Sequence, residues 1–249
     1  MEENILEIKN LKKIYHSKTN ETLAVKDFSL KIEDGDFIAI VGPSGCGKST
    51  ILNILAGLDN KSGGIIKFKD NINIGYMPQE DCLLNWRTVL NNCLLGLEIK
   101  KDLTEEKKIK IIKLLNDYGL KDFINSYPNQ LSGGMRQRVA LIRTLAINPD
   151  ILLLDESFSA LDYQSRLAVS DDVYKIIKKE NKTVIMVTHD IAEAISMANK
   201  IIVLSKRPSI IKKVIDVNLT DKSTPINNRK AKEFGYYYDL IWKEIDYHV

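Results

Sequence analysis

Long apolar runs are missing from this 249-residue chain: nothing approaches the roughly 18 consecutive apolar residues of a membrane-crossing helix, so none is expected. Cysteine is scarce. Cys46, Cys82 and Cys93 are odd in number and lack metal-ligand spacing, which argues against a zinc site or a disulfide framework and suits a reduced compartment. Charge of one sign is also lacking, since 36 Lys and Arg against 33 Asp and Glu leave a net +3, too mild to imply nucleic acid. The lysine clusters at 100–113 and 206–213 read as solvated faces, one of which could sit near anionic lipid. The start, Met1-Glu2-Glu3-Asn4, is acidic and has no apolar core of a leader, so no signal peptide is expected. What remains is ordinary globular composition, 44% hydrophobic and 28% charged, long enough for one large domain or two small ones.

One stretch is not ordinary. Gly42, Pro43, Ser44, Gly45, Cys46, Gly47, Lys48, Ser49 and Thr50 fit the template G-x-x-x-x-G-K-[ST]. The run 37–41 before it is short, apolar and β-branched, and reads as a buried strand. Residues 50–56 after it have helical spacing and stop at Gly57. Strand, glycine turn and helix together make an anion cradle, because the turn aims successive N–H groups inward and the helix adds the positive end of its dipole. Lys48 would then reach the β- and γ-phosphates, and the Ser49 hydroxyl would ligate Mg²⁺. The expected ligand is a nucleoside triphosphate.

Around that stretch the chain changes texture twice. Short strands are expected at 5–8 and 24–32, the second turning at 33–36 as a hairpin into the phosphate-loop strand, then at 65–69 and 72–77. From residue 80 helical spacing takes over, over 88–98 and 104–118, with Ile109, Ile112 and Leu115 as the apolar face of the second. A further helix follows residues 131–135 and runs to about 147, so a helical insert at 80–148 interrupts an α/β chain. Residues 150–156 carry the most apolar strand signal, and helix, strand, helix and strand follow at 163–180, 183–187, 191–199 and 201–204. This alternation predicts a mostly parallel sheet covered by helices, with an antiparallel β part and the helical insert added to a phosphate-loop core. The tail, 218–249, is polar, breaks at Pro225, and ends in a helix with Phe234, Tyr238, Ile241 and Ile245 on one face.

Three side chains belong at the carboxyl ends of those strands. Asp155 ends a buried strand, where it would hold Mg²⁺. Glu156 points elsewhere by strand alternation and suits the base that polarises the attacking water. His189 follows the next strand and suits a contact to the γ-phosphate.

With Leu131, Ser132, Gly133, Gly134 and Met135 opening a helix, a second hydroxyl-and-backbone anion site is present, and here the chain closely resembles the ATP-binding cassette ATPases. The resemblance covers about residues 4–217, taken as one cassette domain (1–217, with the insert) followed by the tail. It implies that two copies join head to tail on binding ATP, each nucleotide lying between one phosphate loop and the other copy's signature. It implies further that Tyr15 stacks on adenine and Gln79 links Mg²⁺ to the helical insert. Lys48, Glu156 and His189 would serve catalysis, Ser49, Gln79 and Asp155 the metal, and Ser159, Ala160, Leu161 and Asp162 the loop crossing the dimer interface. Ser157 stands where many members carry proline, so that loop is expected to be less rigid, and 59–77 is shorter than usual.

Within the family, residues 83–98, with Trp86-Arg87-Thr88-Val89, and the stretch 204–210 resemble the nitrate/sulfonate/taurine importer branch. That likeness implies an ATP-hydrolysing subunit on the cytoplasmic face of the membrane, a separate permease docked on 80–98 with Trp86 as anchor, and an extracytoplasmic solute-binding protein; Trp86 as a core residue is the other reading. A soluble single-cassette assembly factor and a phosphate-loop kinase are the rival functions, and the kinase leaves 131–135 unexplained.

Overall fold

The computed structural model describes residues 4–159 and 161–245. Its centre is three five-residue strands buried at every position: β3 (Phe37–Val41), β6 (Ile151–Asp155) and β7 (Thr183–Val187). Each is apolar on both faces because each serves two cores at once. Phe37, Ala39 and Val41 face the cluster made with the helical insert and the later helices, while Ile38 and Ile40 face the cluster made with the first helix and the amino-terminal strands. Leu152 and Leu154 against Ile151 and Leu153 divide in the same way.

Those strands form a parallel array with β5 (Ile74–Met77) and β8 (Lys200–Leu204), in the order β8-β3-β7-β6-β5. The sheet continues through β9 (Ser209–Asp216) into β2 (Glu21–Ile32), β1 (Leu6–His16) and β4 (Gly63–Phe68), making nine strands among the described residues. β9 is antiparallel to β8 and parallel to β2, so it joins the two parts. It occupies much of the second lysine cluster. Alternation explains this, since Lys212 and Ile210 face outward while Ser209 and Ile215 are buried.

Several local expectations change. The hairpin between 24–32 and 37–41 does not form: β2 pairs with β1 and β9, and β3 lies between β7 and β8. A strand apolar on both faces takes a central place, and the half-polar β2 takes the outer sheet. β1 extends to His16, so Tyr15 sits in a strand paired with Thr22 rather than after one. The insert holds α2 (Val89–Ile99), α3 (Glu105–Asp117) and α4 (Gly133–Ala146). Thr104 caps α3, but its buried face is Ile111, Leu114 and Leu115, and Ile109 is exposed. The helical period fits both stripes, and contact with α4 selects one.

The remaining helices are α1 (Lys48–Leu55), α5 (Tyr163–Lys179), α6 (Ile191–Met197), α7 (Pro225–Asn228) and α8 (Phe234–Glu244). Pro225 opens α7 at a first-turn position instead of merely breaking the chain. Ile241 and Ile245 of the tail are buried, and α8 packs on α6. No helix among the described residues is long and apolar enough to cross a membrane.

Candidate active site

The phosphate loop leaves β3 and enters α1 at Gly47, whose φ of 107° is a left-handed conformation that a side chain would resist. No side chain caps the first turn of α1, so its N–H groups remain directed into the loop. Lys48 is buried there, its Nζ donating to the carbonyls of Gly42 (2.9 Å) and Pro43 (3.3 Å). Burial also pushes the Cys46 thiol up, making it an inert wall of the loop. Tyr15, Ala24, Ser44, Gly45, Gly47, Lys48, Ser49, Thr50, Glu156 and Arg207 line one cleft. Tyr15 is set by bonds from its hydroxyl to Asp59 Oδ2 (2.9 Å) and with Thr50 Oγ1 (3.3 Å), with the Lys13 ammonium over its ring.

Asp155 accepts a hydrogen bond from Ser49 Oγ at 2.9 Å and another from the Tyr76 hydroxyl at 3.3 Å. Burial raises its carboxyl above the usual range, opposed by those two bonds. Tyr76 is itself pushed up to about 12, by burial first and by Asp155 second, so it stays a donor. A hydroxyl and a half-desolvated carboxylate side by side fit a hard divalent cation. Among the described residues no cluster of three or more His, Cys, Asp or Glu offers a complete protein cage, so phosphate oxygens and water would have to complete the shell. Gln79 makes no direct hydrogen bond to this pair among the described residues; its Nε2 donates to Ser159 Oγ at 3.4 Å.

Glu156 is held with φ at +44°, an uncommon conformation for a side-chain-bearing residue and one that turns its carboxylate away from the line of β6. Its Oε2 lies 3.1 Å from His189 Nδ1, which joins the ends of β6 and β7. Ser157, next in the chain, is buried and donates to the Met77 carbonyl at 3.3 Å, so the loop is fastened where proline was missing.

The signature residues lie elsewhere. Ser132 caps α4 through the Met135 N–H (3.3 Å), and residues 132–135 line a second cleft with Leu161 and Asp162. That cleft shares no residue with the phosphate-loop cleft. Leu161 is buried against Gly133, Asp162 caps α5, and Ala160 lies outside the described residues.

Three positioning arginines were not legible in the sequence. Arg166 donates to the carbonyls of Ser159 and Leu161 and pairs with Asp190 at 3.5 Å, tying the 159–162 loop to the segment after His189. Arg136 bonds Asp81 Oδ2, and Arg143 bonds the carbonyls of Asp81 and Cys82, so the start of 80–98 is braced on α4. Buried Asn92 closes 84–88 by accepting from the Leu84 N–H and donating to the carbonyls of Leu84, Arg87 and Thr88. On that closed loop Trp86 is 76% exposed, which rules out a core role.

The family profile described as ABC transporter matches residues 25–159. An uncharacterized ABC transporter ATP-binding protein of Bacillus subtilis is 42% identical, covering 98% of this chain and 96% of its own length. The nitrate import ATP-binding protein NrtD of Synechocystis is 36% identical over 95% of this chain and 93% of its own. An aliphatic sulfonates import ATP-binding protein, SsuB of Bacillus thuringiensis, is 38% identical over 86% of each. Among solved structures, the dimeric post-hydrolysis state of the ATP-binding cassette MJ0796 bound to ADP and Pi superposes with a TM-score of 0.73 at 34% identity, covering 86% of this chain and 99% of that one.

Proposed function

We propose, from the premise that this chain belongs to the ABC transporter family and is one of its ATPases, that it powers uptake of a small solute of the nitrate or sulfonate type. It works as the ATP-hydrolysing subunit on the cytoplasmic face of the membrane, beneath a separate permease and served by a solute-binding protein outside. Lys48 and the uncapped first turn of α1 bind the β- and γ-phosphates. Ser49 and Asp155 would hold Mg²⁺, which when bound would neutralise charge on the phosphate oxygens, and Gln79, just before the helical insert, would link that metal to the insert. Glu156 orients the attacking water and takes its proton as the new P–O bond forms and ADP leaves, and His189 keeps that carboxylate placed beside the γ-phosphate.

One observation carries this reading. The phosphate-loop cleft and the signature cleft of one copy share no residue, so a second copy placed head to tail would bring its signature to the nucleotide held in the first. ATP binding would close such a dimer and release would open it. The 80–98 segment is braced on α4 by Arg136 and Arg143, so closure at Ser132 moves the surface that carries Trp86.

The test is a pull-down from membranes. Trp86→Ala should lose roughly 2 kcal/mol or more of permease affinity, as expected for an exposed aromatic anchor, with its thermal unfolding unchanged. Gln79→Ala should keep assembly and uncouple hydrolysis from transport. Recovery of a soluble scaffold partner in place of any permease would replace the importer with an assembly factor.

A further inference from the structure

The two residues that bracket the β8–β9 loop, Leu204 and Ser209, lie beside the two glycine ends of the phosphate loop. At one end, a Cβ on Gly42 would stand 3.1 Å from the Leu204 backbone oxygen and side chain. At the other, a Cβ on Gly47 would stand 3.5 Å from Ser209 Oγ, and that hydroxyl is anchored on the Ala24 carbonyl at 3.3 Å. Between these anchors the chain is closed on itself: Ser205 N–H donates to the Ile210 carbonyl (3.0 Å), and Ile210 N–H donates to Ser205 Oγ (3.0 Å). Arg207 rides at the tip of this fastened loop and lines the same cleft as Lys48, Ser49 and Tyr15. No carboxylate salt bridge to its guanidinium is found among the described residues, unlike Arg87, Arg136, Arg138 and Arg166.

We propose that Arg207 is a nucleotide ligand, contributing its guanidinium to the phosphate chain of ATP and ADP from the β8–β9 loop. A planar cationic fork without an acid partner, held rigidly beside an anion cradle, is the group that a phosphate would recruit. The position deepens the nucleotide-site reading and rests on it. It also gives a role to the 204–210 stretch, whose likeness to the importer branch had none.

The experiment is direct binding of a fluorescent ADP, and of ATP, to the full-length subunit at concentrations where it is a monomer. Arg207→Ala should weaken both nucleotides by about five- to twentyfold, the effect of one partly exposed charge-assisted contact. Its affinity should also fall less steeply with added salt. Arg207→Lys, which keeps the charge, should recover most of the loss. Lys206→Ala makes the same change in net charge beside it but does not line the cleft, and should bind as wild type does. Unchanged ADP affinity in Arg207→Ala overturns the proposal, as does an equal loss in Lys206→Ala, which would mean a general field effect. Loss of the ATP-dependent dimer alone, with ADP affinity intact, would move Arg207 to the subunit interface and equally overturn it. The nucleotide-site reading fails separately, if wild type binds no ADP or Lys48→Ala binds it as well as wild type.

Discussion

Glu193 shows how a single buried side chain sets a property of the whole protein. It is fully enclosed in α6, accepts a hydrogen bond from Thr188 beside His189, and its Oε1 has no partner among the described residues. Burial raises its carboxyl from 4.5 to about 7; Asp190 pushes the same way, and Thr188, Arg166 and Arg229 oppose them. The folded state therefore binds a proton that the unfolded chain has released. Its contribution is fully present below pH 4.5, declines as pH rises from 4.5 to about 7, and stays lost above that. Glu193→Gln should flatten the stability profile across that window and stabilise the protein at pH 8 by on the order of 2 kcal/mol. Urea titrations at several pH values check it; a slope as steep as wild type would reject the assignment.

Among the elements, β3, β6 and β7 were readable because a run apolar on both faces has only one place to go, the middle of a covered parallel sheet. β9 was not, because its alternating lysines look like a solvated stretch until β2 and β8 are seen on either side. The tail helix α8 presents Ile241 to the core and Tyr236 to solvent. Ile241→Ala should accordingly cost about 2–4 kcal/mol, while Tyr236→Ala should stay within about 0.5 kcal/mol, by chemical denaturation. Equal, small effects would mean that α8 is only loosely attached.

At the scale of the molecule, the separation of the two clefts makes a testable demand. Glu156→Gln should lose about 10²–10⁴-fold in hydrolysis, the range for one general base, while keeping ATP in the cradle. Trapped ATP should then convert the subunit from monomer to dimer, read by light scattering. Adding Ser132→Arg should abolish that dimer, because bulk and charge would fill the space that the proposed head-to-tail arrangement gives to a γ-phosphate. A monomer at saturating ATP in the Glu156→Gln protein would contradict the head-to-tail arrangement.

The residue types of the site were legible by themselves, since a glycine turn between a β-branched strand and a helix, an apolar strand ending in Asp155-Glu156, and a Ser132-Gly133-Gly134 helix start are all local patterns. Each is dictated by neighbours a few residues away, so one chain suffices to read it. The sheet order, the buried stripe of α3, the exposure of Trp86 and the arginine braces on Asp81 and Ser159 were decided only by tertiary packing. A helical period admits more than one stripe, and a long guanidinium reaches partners tens of residues away. Arg207 is the clearest case: in sequence it is one cation among lysines, and only the closure of its loop on Gly42 and Gly47 brings it to the cleft.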